Sequence, residues 1–232
     1  MNTHALPDTA IATRLAGVLE TIAVAAERHG REPGDVGLVA VSKRHPASAI
    51  RAAYAAGQRR FGENYLQEAL AKQDELADLD IEWHFIGAIQ SNKTADIAAR
   101  FDWVHTIDRE KIARRLNDQR PDDRAPLNVL VEVNISGEAS KHGIMPAELP
   151  ALLETIAMMP RLRLRGLMSL PAPVDDFAAQ RRAFAALAAL AATSATPLDT
   201  LSMGTSDDFE AAIAEGATLV RIGTAVFGPR PE

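Results

Sequence analysis

The residue best suited to chemistry is a lysine at the end of the most hydrophobic run in the chain. Lys43 follows residues 36–41, which are nearly all apolar, as in a strand buried on both faces. An ammonium at the edge of such a strand loses part of its hydration, which favours the neutral amine that attacks a carbonyl carbon. The alternative is a lysine whose long side chain only extends into water. Position alone leaves both roles open.

Two glycine-containing segments near the carboxyl terminus are suited to bind an anion. Residues 202–204 (Ser-Met-Gly) and 223–224 (Gly-Thr) each close a β-rich run. Glycine lets backbone N–H groups approach an anion, and the serine and threonine add hydroxyl donors. The alternative for the first segment is the start of a helix, because Thr205 and Asp208 have the spacing of a capping box. The two interpretations are compatible.

Arg221 lies two residues before Gly223 and therefore on the same face of a strand. A guanidinium at this position can pair with a phosphate or with a ring nitrogen, or it can form a structural ion pair with a neighbouring strand. His84, His105 and His142 lack the close spacing that metal ligands on one element show, so we predict no metal site.

The elements that would position these residues alternate along the chain. Eight short β-rich runs are visible, and each except the last is followed by a segment compatible with a helix. Strict βα alternation indicates a parallel sheet, and eight units favour a closed (β/α)8 TIM barrel over an open doubly wound sheet. An extra amino-terminal helix is predicted from the spacing of Ile11, Leu15, Val18 and Ile22. The runs cover residues 36–41, 59–61, 82–86, 102–106, 127–133, 163–168, 198–203 and 218–222.

Composition excludes several classes of protein. The 232 residues carry a net charge of −6, which gives no overall attraction to nucleic acid or to an anionic membrane. The absence of cysteine excludes disulfides, thiolate nucleophiles and iron–sulfur clusters. No secretory signal or membrane span is recognised at the amino terminus or elsewhere. We therefore expect a single cytoplasmic barrel domain over residues 1–232.

Six stretches together resemble the pyridoxal phosphate homeostasis proteins, which are single-domain relatives of the barrel domain of alanine racemase. The resemblance spans nearly the whole chain in the order of the family, and it implies the fold-type III barrel of pyridoxal phosphate proteins. The matching stretches are VAVSK (39–43), FGENYLQE (61–68), HFIG (84–87), QSNK (90–93), LSMG (201–204) and VRIGTA (220–225).

The resemblance implies a role for each matching residue. Lys43 would form an internal aldimine with pyridoxal 5′-phosphate, Arg221 would face the pyridine nitrogen, and Asn64 would lie beside the ring. The phosphate would be held by the two glycine-containing segments. Lys141, in the loop 136–143, is a candidate for a second, transient cofactor lysine, or it is a surface lysine. The residues that would hold the phosphate are Ser202, Gly204, Gly223 and Thr224, and Met203 is predicted to contact the cofactor as well.

The family role is to bind the cofactor and keep its supply in balance, without established turnover. Apo-enzymes that need pyridoxal phosphate would be its recipients, and we expect a monomer. An amino-acid racemase on the same barrel is one alternative, and a lysine-dependent aldolase acting on a sugar phosphate is another. Racemisation needs a second acid–base group opposite Lys43, and the chain ends just past the last predicted strand, so we expect the second racemase domain to be absent.

Overall fold

The computed structural model describes residues 8–138 and 142–229. Within them, eight parallel strands pair in chain order, and β8 pairs with β1, so the sheet closes into a barrel. The predicted (β/α)8 barrel is confirmed. The strands are β1 (Gly37–Val41), β2 (Arg60–Glu63), β3 (Glu82–Phe85), β4 (Trp103–Ile107), β5 (Leu127–Glu132), β6 (Leu162–Met168), β7 (Thr200–Ser202) and β8 (Leu219–Ile222).

Helices connect the strands around the outside of the barrel, and the amino-terminal helix is present as predicted. A short helix also follows the last strand, where the sequence indicated none. The helices are α1 (Asp8–Arg28), α2 (Ala47–Ala55), α3 (Leu66–Glu75), α4 (Thr94–Arg100), α5 (Glu110–Gln119), α6 (Leu149–Ala157), α7 (Phe177–Ala192), α8 (Phe209–Ala214) and α9 (Thr224–Phe227), with 3-10 turns at Pro33–Asp35, Ser91–Lys93 and Pro146–Glu148.

Most of the core lies between the barrel and its helices. Small side chains such as Ala53 and Ala69 are fully buried there, beside large ones such as Ile50 and Phe61. Alanine suits this layer because it favours helix and lets a helix approach the sheet closely. The inside of the barrel differs, since buried polar side chains meet there.

Helix α1 packs on the outside of the barrel. Residues Thr9–Arg28 are long and apolar enough to cross a membrane by length and composition alone. However, Ile11, Leu15 and Ile22 are buried, and the helix contacts α2, α8 and α9. The apolar face therefore serves the core of the barrel.

Candidate functional site

The residues predicted to carry chemistry gather at one end of the barrel. All strands are parallel, so their carboxyl ends lie together at one end, which we call the mouth. This is the end at which (β/α)8 barrels place their active sites. Lys43 follows β1, Asn64 follows β2, Ser202 ends β7, Met203 and Gly204 follow it, Arg221 lies in β8, and Gly223 and Thr224 follow β8.

Lys43 occupies a turn with an unusual backbone. The carbonyl of Ser42 accepts a hydrogen bond from the N–H of His45 at 3.0 Å, so Lys43 and Arg44 are the central residues of a β-turn. Arg44 has φ = 64°, in the left-handed region that glycine normally supplies at the third position of such a turn. A side chain in this conformation costs about 1–2 kcal/mol. The half-buried Lys43 is thus held on a strained turn.

Three charged side chains lie beneath this turn, and we call Glu63, Glu68 and Lys72 the Lys72 cluster. The Nζ of Lys72 donates to Glu63 Oε1 at 2.7 Å and also to Glu68. It donates as well to the carbonyl of Ser42 at 2.8 Å. Ser42 Oγ donates to Glu63 at 2.6 Å, and the N–H of Arg44 donates to Glu68. Both neighbours of Lys43 are therefore bonded to the cluster.

Glu63 is the most buried member of the Lys72 cluster. Its side chain has no exposed surface, and Oε2 has no hydrogen-bond partner among the described residues. Burial raises the pKa of this carboxyl, while the positive charge of Lys72 opposes the rise. A buried carboxylate is retained only when a cation and donors compensate its lost hydration. Lys72 and Ser42 provide that compensation.

Arg221 extends into the barrel just below the mouth. Its guanidinium donates to Ser202 Oγ at 2.7 Å and to the carbonyl of Ser169 at 3.0 Å. Burial lowers the pKa of Arg221 to about 10, so the group stays charged at neutral pH. The structure thus puts one fixed positive charge at the strand adjacent to that of Lys43, since β8 pairs with β1.

A chain of hydrogen bonds continues from Ser202 through the barrel. His105 Nδ1 lies 2.9 Å from Ser202 Oγ, and His105 Nε2 lies 2.8 Å from His84 Nδ1. His84 Nε2 lies 2.8 Å from Glu82 Oε1. Burial lowers the pKa of His84 and holds that of His105 well below its ordinary value, so both rings are neutral at neutral pH.

The charge states of the end groups determine which atom donates in each of these hydrogen bonds. The bond to His84 lowers the pKa of Glu82, which is therefore an anionic acceptor, and His84 must donate to it from Nε2. His84 Nδ1 then accepts from His105 Nε2–H. His105 Nδ1 in turn accepts from the hydroxyl of Ser202, which accepts from Arg221. This series of hydrogen bonds ends at Glu82, which lines a cavity of about 350 Å³ at the opposite end of the barrel.

A buried carboxyl group closes the far side of the mouth. Glu132 ends β5 and is 8% exposed. Burial raises its pKa to about 7, while Asp108 adds to the rise and the nearby His142 and Arg221 oppose it. Sequence inspection missed Glu132, because an acidic residue at the end of an apolar run is ordinary until its surroundings are known.

The residues predicted to hold a phosphate have different environments. The Ser202 hydroxyl is committed to Arg221 and His105 inside the barrel. Met203 has its side chain in the core and its N–H bonded to Leu219, so neither points to the mouth. Gly223 is half-buried and Thr224 is exposed.

Gly204 has a structural reason to be glycine. Its φ is 92°, and a Cβ there would lie 2.7 Å from Ala212 Cβ and 2.9 Å from Phe209 Cα in α8. Its carbonyl accepts from the N–H of Arg221 at 3.0 Å, which joins the loop after β7 to β8. The predicted capping box forms in part: Thr205 N–H donates to Asp208 Oδ1 at 2.6 Å, as the motif requires, but the Thr205 hydroxyl donates to the same oxygen and α8 begins only at Phe209.

Two buried oxygens at the mouth have no hydrogen-bond partner among the described residues, namely Asn64 Oδ1 and Ser169 Oγ. Asn64 is placed by a close backbone approach, since a Cβ at Gly87 would lie 2.0 Å from the Asn64 carbonyl oxygen. Buried polar atoms are nearly always paired, by protein groups or by water, so these two oxygens are suited to bind a polar ligand at the mouth.

Two further predictions concern the rest of the chain. Lys141 lies outside the described residues.

Across residues 8–138 and 142–229, no group of three or more His, Asp or Glu side chains is arranged to hold a metal ion. His84 and His105 instead bond to each other, which their separate positions in the sequence did not indicate.

Comparison with known proteins gives consistent results. The family model described as alanine racemase, N-terminal domain, matches residues 16–231. The pyridoxal phosphate homeostasis protein of Pseudomonas aeruginosa is 60% identical over 220 residues, which cover 95% of this chain and 96% of that protein. The protein of the same name from Escherichia coli is 55% identical over 226 residues, covering 95% of this chain and 97% of that protein.

Solved structures support the same relationship. PipY of Synechococcus elongatus without pyridoxal phosphate is 41% identical with a TM-score of 0.84, and its structure with pyridoxal phosphate bound is 40% identical with a TM-score of 0.82. Each comparison covers 94% of this chain and 100% of PipY. Alanine racemase from Bacillus anthracis shares the fold at 20% identity and a TM-score of 0.70, over 97% of this chain and 57% of the racemase. From the matched family model and these long, high-identity alignments, the chain belongs to the pyridoxal phosphate homeostasis protein family, built on the barrel of the alanine racemase N-terminal domain.

Proposed function

We propose that this protein binds pyridoxal 5′-phosphate at the mouth, holds it covalently through Lys43, and acts as a carrier that keeps the supply of the cofactor in balance. The observation that carries the proposal is one of position. The amine of Lys43 lies on the turn after β1, and the adjacent strand β8 carries the buried, charged guanidinium of Arg221. The names of the relatives and the PipY structure with bound pyridoxal phosphate support the cofactor.

The residues at the mouth fit this ligand. The cofactor supplies an aldehyde, which an amine can capture, and a pyridine ring that withdraws electrons. Lys43 offers the amine. Ser169 Oγ and Asn64 Oδ1 are unpaired polar atoms that a polar ligand would satisfy. Arg221 would face the ring nitrogen, and its positive charge disfavours protonation of that nitrogen, which weakens electron withdrawal by the ring.

The phosphate would be bound by the loops that follow β7 and β8. The hydrogen bond from Arg221 N–H to the Gly204 carbonyl connects the first loop to β8. We assign this role to backbone N–H groups around Gly204 and Gly223 and to the exposed hydroxyl of Thr224. Ser202 would contribute through its backbone only, because its hydroxyl is bonded inside the barrel. The core position of Met203 removes it from the proposed contacts.

The carrier role predicts binding without turnover of amino acids. Racemisation requires acid–base groups on both faces of the substrate. Tyr54 has the guanidinium of Arg59 over its ring at 3.8 Å, and Tyr65 is 48% exposed at the start of α3. Neither position favours the role of an opposing acid.

The test of the proposal is an absorbance spectrum of the protein mixed with pyridoxal phosphate, before and after borohydride reduction, followed by peptide mapping. We expect visible absorbance and a reduced adduct on Lys43, loss of both in Lys43→Ala, and retention of both in Lys111→Met, which removes an exposed lysine of α5. Labelling of Lys93 or Lys141 with Lys43 unmodified would contradict the assignment.

The same material separates the alternatives. An aldolase with a free catalytic lysine would give no visible absorbance. Incubation with L-alanine, followed by measurement of D-alanine and of deuterium at the α-carbon, detects a racemase. Sustained turnover that depends on Lys43 would replace the carrier role by an enzymatic one.

Several predictions go with the proposal. Lys141 would act as a second acceptor that captures or releases the cofactor, and apo-enzymes that use pyridoxal phosphate would receive it. The monomeric state, the cytoplasmic location and the single barrel domain also stay predictions. Size-exclusion chromatography with light scattering measures the oligomeric state.

A further inference from the structure

The turn that carries Lys43 has no glycine at the position that needs one. Arg44 has φ = 64°, and a residue with a side chain keeps such a conformation only where its surroundings enforce it. The turn is closed by a hydrogen bond from His45 N–H to the Ser42 carbonyl at 3.0 Å. Further restraints come from the Lys72 cluster, beside the contact of the Arg44 guanidinium with the Tyr65 ring at 5.8 Å.

These restraints reach both sides of Lys43. On one side, Ser42 donates from Oγ to Glu63 at 2.6 Å and accepts at its carbonyl from Lys72 Nζ at 2.8 Å. On the other side, the N–H of Arg44 donates to Glu68. Glu68 and Lys72 are four residues apart on α3 and bond to each other, so the helix fixes the acceptor and the donor together.

We propose that the Lys72 cluster positions Lys43 for covalent capture of its ligand, by holding the strained turn from both sides. This inference rests on the proposed function. In the reaction, Nζ of Lys43 adds to the aldehyde carbon and the carbinolamine loses one water, so that a C=N bond replaces the C=O bond. The cluster takes no part in that chemistry, and its members are positioning residues.

The alternative is a cluster that only stabilises the fold. Positioning affects the rate of bond formation, because a fixed amine has a high effective concentration at the aldehyde and a mobile one does not. It does not affect a ligand that lacks the aldehyde. The 4′-deoxy analogue of pyridoxine 5′-phosphate keeps the ring and the phosphate and has no group for Lys43 to attack, so it measures the non-covalent site separately.

Glu68→Ala is the decisive variant. Glu68 is 27% exposed in its side chain, so its removal leaves the buried pair of Glu63 and Lys72 in place. Glu68→Gln is the matched control, because its amide oxygen can still accept from Arg44 N–H while the charge is lost. Glu110→Gln on the exposed face of α5 controls for a change of net charge.

The measurements are the rate of visible absorbance change on mixing with pyridoxal phosphate, and the affinity for the deoxy analogue by calorimetry. For Glu68→Ala we expect a rate lower by about tenfold and an analogue affinity within about twofold of the wild type. For Glu68→Gln we expect a rate close to that of the wild type. Arg44→Gly in the Glu68→Ala background should restore part of the rate, because glycine adopts positive φ without restraint.

Three results would overturn the inference. An unchanged rate in Glu68→Ala excludes positioning, and a parallel loss of analogue affinity shows a structural role only. Equal loss in Glu68→Gln and Glu68→Ala assigns the effect to charge. Failure of the proposed function is recognised before any variant is made, since wild-type protein would then form no reducible adduct at Lys43, and that result rejects both proposals.

Discussion

Replacing the buried carboxyl at the end of β5 should stabilise the ligand-free protein, and only above a defined pH. Burial raises the pKa of Glu132 to about 7 from an ordinary value of 4.5. Between these two values the folded protein keeps a proton that the unfolded chain has released. Folding therefore becomes less favourable as pH rises through this window, and above about 7 the full cost is present.

The size of the effect follows from the difference between the two pKa values. About 2.5 pH units at about 1.4 kcal/mol per unit give about 3 kcal/mol. Glutamine has nearly the same shape and cannot ionise. Glu132→Gln should therefore match the wild type near pH 4.5 and exceed it by up to about 3 kcal/mol in free energy of unfolding at pH 8.

The assay is urea unfolding of the ligand-free protein at a series of pH values between about 4.5 and 8. Glu154→Gln is the matched control, because it makes the same change at an exposed position of α6. We expect a stability difference that grows with pH for Glu132→Gln and a flat difference for Glu154→Gln. A difference for Glu132→Gln that does not change with pH would refute the reasoning that burial holds the proton.

Three further outcomes are expected. Pyridoxal should bind far more weakly than its phosphate ester in equilibrium titrations, because in the proposed site two loops would donate to the phosphate, and equal affinities would reject that site. His105→Ala should lower the free energy of unfolding by about 3 kcal/mol, measured by urea unfolding, since it leaves a cavity and unpairs the Ser202 hydroxyl and His84. Gly204→Val should lower the free energy of unfolding by about 2 kcal/mol or more, with or without ligand, because φ of Gly204 is 92° and α8 leaves no space for a side chain. An effect seen only with ligand would contradict this account.

The barrel could be predicted from sequence because its signals are local. The apolar run before Ser42 marks β1 in one short window, and similar runs mark the other strands. The strand ends are predicted less well: the run 59–61 stops at Phe61 while β2 continues to Glu63, and β7 covers only Thr200–Ser202 of the predicted 198–203. The buried Glu63 carboxylate at the end of β2 is stabilised by a cation beside it, and that cation is Lys72, on the following helix. Local periodicity does not show such a pair.

The site was predictable by position and not by contact. The rule that barrel chemistry lies at the carboxyl ends of strands brought Lys43, Asn64 and Arg221 to one mouth. It could not assign directions to side chains. Ser202 was expected to donate to a phosphate, and in the structure its hydroxyl joins Arg221 to His105 across the barrel. That contact links residues 97 positions apart, and only the closed barrel brings them together.

The chain of hydrogen bonds explains why its positive charge stays on Arg221 at neutral pH, since both histidines in it are neutral. A proton added to His105 would lie in a buried site and would be repelled by Arg221, and both effects lower the pKa of the ring. With both histidines neutral, each group in the hydrogen-bond chain donates toward Glu82, and Arg221, which can only donate, is the first donor. The charges therefore stay at the two ends of the chain, with the cation under the mouth and the anion at the opposite end of the barrel. In the proposed complex, a ring nitrogen placed against Arg221 would meet a donor that is already fixed in charge and direction, in keeping with the proposed carrier role.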